Sequence, residues 1–311
     1  MTKTYNLFKK FIPIIVALAV VSALFGLLTM IYYYHGDTIT IDFKNVIPIC
    51  TVLFFLLAIG AVIFFSVKVK SIHIAKIKKS FGFCHFAAAL TAALAAALFF
   101  YDFFRFVIAP STLPTLRILR LIPFVPFILY LILGMIPKKI RKKRIHIPIS
   151  IKYVASIGAI TWAVLGLLLI YTWNGLPMSN YFKITHLFFY VLLLLFLAFE
   201  IRFELLTPAP RLYILFSFLL FVYTMSITGS VMLAKFFGYV QEVTITEFEI
   251  FLAFALGIYA LSKMIAIPRT MKVVMDKEHS QRRHHHKGSK EATNEELQNL
   301  SVNTDKNISI E

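Results

Sequence analysis

The sequence predicts an all-α polytopic bundle of eight membrane-spanning helices, with both termini cytoplasmic. Three observations predict it. First, the 311 residues are 59% hydrophobic and only 15% charged, with 32 Phe, whereas soluble domains run near ~45–50% apolar and ~25% charged. Second, the apolar stretches are continuous over about 20 residues, the length of a spanning helix; barrel strands would alternate apolar and polar instead. Third, Lys and Arg number 32 against 15 Asp and Glu, a net charge of +17, and they gather in alternate connections, as cytoplasmic loops do. A soluble globular enzyme, a disordered chain and a fibrous chain are excluded. Because lipid offers no partner to backbone N–H and C=O groups, these stretches must be helices.

The spans are read at residues 11–34, 46–67, 82–101, 119–136, 153–173, 181–199, 212–234 and 248–267. The first is too long for a signal-peptide core and lacks a small-x-small site after it, so it is expected to stay as an anchor. It ends in Tyr32, Tyr33 and Tyr34, which with Tyr171 and Trp173 form an expected outer aromatic belt. The wide Phe and Leu faces of the second, sixth and seventh spans are expected to meet lipid. The third span is Ala-rich, with Ala87, Ala88, Ala89, Ala92, Ala93, Ala95, Ala96 and Ala97. In the fifth, Ala155, Ala159, Ala163 and Gly166 share one face, and the seventh carries Ser226, Gly229 and Ser230. Helices in lipid associate through such small residues, which places these faces in the interior. Pro123 and Pro126 are expected to interrupt the fourth span. Residues 1–275 form the eight-span domain, and 276–311 are read as a disordered cytoplasmic tail.

Orientation follows from the short loops. Lys3, Lys9 and Lys10 precede the first span, and Lys68, Lys70, Lys76, Lys78 and Lys79 follow the second. Lys138, Lys139, Arg141, Lys142, Lys143 and Arg144 follow the fourth; Arg269, Lys272, Lys277, Arg282 and Arg283 follow the eighth. The alternate loops hold Lys44 with Asp37 and Asp42, then no charge from 173 to 181, then Lys235 with Glu242 and Glu247. Cys50 is expected near the outer end of its helix and Cys84 near the inner end of its own, roughly a bilayer thickness apart and too far for a disulfide.

Ionisable residues at membrane depth are expensive and mark candidate sites. The outer side holds Asp102, Arg105, Arg117, Arg120, Lys183 and His186. A spacing of three lets Asp102 meet Arg105 on a helix. One carboxylate against three arginines and a lysine leaves a positive ring, suited to a lipid phosphate or organic anion through bidentate Arg; snorkelling at the interface is the alternative. On the inner side Glu200 and Glu204 lie four apart on one face, an arrangement that suits a proton relay, with pairing to basic loops as the alternative. Tyr213, Ser217, Thr224 and Thr228 share a face of the seventh span and would line a cavity or bond a neighbouring helix.

The stretch from Phe100 to Arg117 loosely matches that from Phe199 to Arg211, three spans later and pointing the opposite way, as in the inverted repeats of transporters. Phe182-x-x-x-His186 resembles one element of the intramembrane CAAX-type protease family. That family pairs it with a double Glu followed by Arg on a neighbouring helix, which Glu200-Ile201-Arg202 does not supply, so membership is not inferred. No H-E-x-x-H, P-loop, G-x-S-x-G or paired C-x-x-C occurs, and no pattern asks for a cofactor or metal. The His284–His286 run can bind metal, but the basic stretch around it is read as electrostatic, attracting anionic lipid at about 1 kcal/mol per charge. The expected partners are the bilayer, anionic lipid at the cytoplasmic face and other membrane proteins, and not nucleic acid. In function the reading leans to a transporter or permease component for a small anionic or amphipathic solute. The alternatives are a non-catalytic scaffold or regulatory subunit, and an intramembrane enzyme acting on lipid headgroups.

Overall fold

The computed structural model describes residues 2–35, 38–39, 45–69, 82–109, 115–136, 139–140, 143–144, 147–172, 181–205, 209–239 and 248–272. Among them are eight helices long and apolar enough to cross a membrane. They are α1 (Thr2–Tyr33), α2 (Val46–Lys68), α3 (Gly82–Ile108), α4 (Thr115–Met135), α5 (Ile149–Thr172), α6 (Tyr181–Leu205), α7 (Pro210–Phe236) and α8 (Phe248–Lys272). Two-residue antiparallel pairings join Tyr34–His35 to Thr38–Ile39 and Lys139–Ile140 to Lys143–Arg144. The positions 284–286 of the His run lie outside the described residues.

Several helices outrun the apolar stretches that announce them. α3 continues past Tyr101 through Asp102 and Arg105, α4 begins before Arg117, and α6 extends through Glu200. The charged residues are therefore helical, not loop residues, which fixes their direction. α4 runs unbroken through Pro123 and Pro126, against the expected interruption. Gly158 of α5 lies against the Pro126 ring so closely that a Cβ there would sit 2.5 Å from it. A neighbour without a side chain thus accommodates the proline inside the bundle.

Helices adjacent in sequence pack together, α1 on α2, α3 on α4, α4 on α5, α5 on α6 and α6 on α7, while α7 also meets α1 and α2. The small-residue faces lie inside as expected: Ala87, Ala88, Ala92 and Ala95 of α3, Ala155, Ala159, Ala163 and Gly166 of α5, and Ser226 and Ser230 of α7 are buried. Gly26 of α1 faces Ser230, and the Ser226 hydroxyl donates to the Ala19 carbonyl at 3.4 Å. α2 presents Leu53, Leu56, Leu57 and Phe64 outward, and α6 presents Phe188 and Val191.

α7 departs from the reading. From Tyr213 to Ala234 it is largely buried, so it is a central helix and not a lipid-facing one. One turn of it, Thr224–Thr228, is a π-turn. There α8 comes closest: a Cβ on Gly257 would overlap the Thr224 Oγ1. α8 is likewise central, touching α3 through Cys84 Sγ–H to the Ser262 carbonyl (3.1 Å) and Thr91 Oγ1–H to the Ala255 carbonyl (3.2 Å). Cys50 and Cys84 are free thiols.

Candidate functional site

Residues from the first halves of α4, α6 and α8 meet in one cluster, and residues farther along the same three helices meet in a second. The three helices therefore run in one direction. Charged residues rarely survive without partners in such an interior, and here each level carries a buried polar cluster.

The first cluster is at the end where α3 finishes. Arg120 of α4, 3% exposed, donates from Nη1 to Glu249 Oε1 of α8 at 2.7 Å and from Nη2 to the Tyr190 hydroxyl of α6. Its guanidinium also lies over the Trp162 ring of α5, 4.1 Å from the ring centre. Such a stack suits Arg, whose planar cation is weakly hydrated. Gly166, one turn along α5 from Trp162, makes the room: a Cβ there would lie 2.5 Å from the Tyr190 ring and 3.0 Å from Arg120 Nη2. Beside it, Arg117 Nε donates to Asp102 Oδ1 at 3.0 Å, with Nη2 2.8 Å from the same oxygen. Lys183 is buried near the start of α6, and His186 Nδ1 lies 3.0 Å from the Phe182 carbonyl of its own helix.

This corrects two expectations. Asp102 pairs with Arg117, not with Arg105, because Arg105 points away from the bundle and is exposed. The positive ring is also largely neutralised. Glu249 supplies a second carboxylate, so the buried set holds two acids, two arginines and Lys183.

The second cluster centres on Glu200 of α6, 1% exposed. Tyr130 Oη of α4 donates to Oε2 at 2.6 Å and Tyr259 Oη of α8 to Oε1 at 3.1 Å, while Lys263 Nζ of α8 lies 2.9 Å from Oε1. Lys263 is the more open member, and its Nζ also sits over the Tyr259 ring. Both carboxylate oxygens are thus met by protein groups. The side chain of Glu204 lies outside the described residues.

The cavity-lining set of α7 is all buried, and two of its hydroxyls turn inward on their own helix. Ser217 Oγ donates to the Tyr213 carbonyl at 2.6 Å and Thr224 Oγ1 to the Leu220 carbonyl at 2.9 Å. Tyr213 stacks on Phe196 and Phe203, and Thr228 is buried in the π-turn. The suggested repeat does not recur as contacts: Asp102 takes Arg117, whereas Glu200 takes Lys263 and Arg211 Nε donates to the Val69 carbonyl.

Sequence reasoning missed Glu249, Lys263, Trp162, Tyr130, Tyr190 and Tyr259. Glu249 and Lys263 are ionisable residues inside an apolar span, and Trp162 lies mid-span, away from the interface that Trp prefers; those signals were available. Among the described residues no group of three or more His, Cys, Asp or Glu gathers as a metal site. Comparison with known protein families, with characterised proteins and with solved structures finds no match. The geometry alone carries the functional argument.

Proposed function

We propose that this protein is a multi-pass carrier or permease component of the plasma membrane for a small anionic or amphipathic solute, with both termini cytoplasmic. One observation carries the reading. α4, α6 and α8 each contribute to both clusters, through Arg120 and Tyr130, Tyr190 and Glu200, and Glu249 and Tyr259. Each pair is ten residues apart, or roughly 15 Å along a helix. Between them lie buried Phe127, Leu193, Phe196 and Leu256. Buried ion pairs are costly relative to apolar packing and so are weak devices for stability. Two of them at different depths of the same three helices, with an apolar layer between, suit a carrier in which one level opens while the other holds. The Lys- and Arg-rich connections support the orientation.

The Ser217 and Thr224 hydroxyls of α7 favour a second reading, a non-catalytic membrane subunit, because they face their own backbone rather than a pathway.

Metabolite and lipid profiling of a deletion strain tests the proposal. The expected result is altered distribution of one small anionic or amphipathic solute across the membrane, restored by the parent gene and not by Glu249→Gln or Glu200→Gln. An unchanged solute profile would favour the subunit reading, and a change confined to lipid headgroups would favour an enzyme.

A further inference from the structure

α7 and α8 are the two most enclosed of the eight helices, and they meet at an unusual point. α7 widens there into the π-turn Thr224–Thr228, after which the Gly229 N–H reaches five residues back to the Thr224 carbonyl. Such turns are rare, bend the helix axis and gather at functional sites. At this turn the Thr224 side chain rests directly on the backbone of α8, where a Cβ on Gly257 would overlap its Oγ1. The hydroxyl donates to the Leu220 carbonyl at 2.9 Å and lies 3.1 Å from the Phe221 carbonyl, which fixes the side chain in that position. Beside it, the Phe254 ring of α8 lies against Gly229.

Gly257 divides α8 between the two polar clusters. Glu249 lies eight residues before it and Lys263 six residues after it, arms of roughly 12 Å and 9 Å. α8 supplies an ionised partner at both levels: Glu249 to Arg120 at 2.7 Å and Lys263 to Glu200 at 2.9 Å. Both clusters are held between α8 and the same two helices, α4 and α6. A tilt of α8 about Gly257 that opens one level therefore closes the other. A glycine contact suits a fulcrum, because backbones approach closely there and no side chain of α8 interlocks with the neighbour. A tilt of about 15°, the size of rigid-body switching rotations, would move Glu249 by about 3 Å and Lys263 by about 2 Å in the opposite sense. Displacements of that size part an ion pair.

We infer that α8 is the moving element of the protein: it rocks on the Thr224–Gly257 contact, holding Arg120 through Glu249 in one position and Glu200 through Lys263 in the other. The inference rests on the carrier reading above and supplies its moving part.

Spin-label distances in micelles test it. Cys50→Ser and Cys84→Ser remove the native thiols, the second keeping a donor for the Ser262 carbonyl. Labels at Phe251→Cys and Tyr171→Cys read the first level, and labels at Arg269→Cys and Tyr153→Cys read the second; all four positions are exposed. Tyr153 and Tyr171 belong to α5, which packs on α4 and α6 and so provides the fixed frame. The expected result is that Glu249→Gln lengthens the first distance by about 3 Å and shortens the second, and that Glu200→Gln does the reverse. Arg120→Gln breaks the first pair from its other side and should act as Glu249→Gln does; Lys263→Gln should act as Glu200→Gln does. These give a second folded variant at each level. Thr224→Ala removes the fulcrum, so Glu249→Gln in that background should lengthen the first distance and leave the second unmoved.

Changes of the same sign at both levels, or no change at either, in variants that melt cooperatively would overturn the inference. Opposed changes that persist undiminished in Thr224→Ala would overturn the fulcrum. Failure here is separable from failure of the carrier reading: opposed changes with an unaltered solute profile remove the carrier, and a solute profile lost in Glu249→Gln without opposed changes removes the lever.

Discussion

Gly166→Ala changes one hydrogen to a methyl group and should strike the first cluster directly. On an exposed helix the change would stabilise by about 1 kcal/mol through helix propensity. Here the new Cβ would lie 2.5 Å from Cε1 and 2.7 Å from Cζ of Tyr190, and 3.0 Å from Arg120 Nη2. The Tyr190 ring is buried and cannot withdraw without releasing the Arg120 hydrogen bond. Overpacking costs about 1–3 kcal/mol, and a hydrogen bond to a charged group contributes about 1.5–3 kcal/mol. After the propensity gain, the net destabilisation is about 2–5 kcal/mol. Equilibrium unfolding in mixed micelles measures it, with Tyr190→Phe as the control. Removing the hydroxyl leaves the ring carbons in place, so Gly166→Ala should remain destabilising in that background. Tyr190→Leu removes the ring and should abolish most of the penalty. A Gly166→Ala protein as stable as the parent, or more so, would refute the placement of Tyr190 and Arg120 against α5.

Three further outcomes follow from the packing and the ion pairs. Glu249→Leu strands Arg120 in the interior and should cost about 3–5 kcal/mol, whereas Glu249→Leu with Arg120→Met should recover most of that loss in the same unfolding assay. Glu200→Gln keeps an acceptor for a tyrosine hydroxyl but removes the charge facing Lys263, so Lys263→Met in that background should restore stability; no coupling between the two substitutions would separate them in space. Gly257→Ala presses on Thr224, whose hydroxyl is engaged with the Leu220 carbonyl; melting temperature should fall, and Thr224→Gly should recover part of it.

The architecture was legible because lipid enforces it. A spanning helix must be about 20 apolar residues long, so the spans announce themselves, and small residues mark close helix contacts, as Ala155, Ala159 and Ala163 do. Helix ends were less legible, because a charged residue can extend a helix once it has a partner across the bundle. Asp102 and Glu200 show this, each lying past the apolar stretch and paired to another helix. Partner choice was least legible. Local spacing offered Arg105 to Asp102, but the rotation of α3 turns Arg105 outward and delivers Asp102 to Arg117. Glu249 lies just inside the span read at 248–267, where an ionisable residue is a signal, yet nothing in its local spacing names Arg120 as its partner. The uncharged members, Trp162 and the tyrosines, carry no sequence signal of a shared site, since only the folded bundle brings five different helices to one place.

Everything above depends on which side of the membrane each connection occupies, and on the crossings being eight. Alkaline phosphatase fused after Arg144 and, separately, after Gly175 measures this directly, because the enzyme is active only outside the cytoplasm. The account predicts an inactive fusion after Arg144 and an active one after Gly175. Activity after Arg144 would place the Lys138–Arg144 cluster outside, invert the two polar clusters and contradict the account.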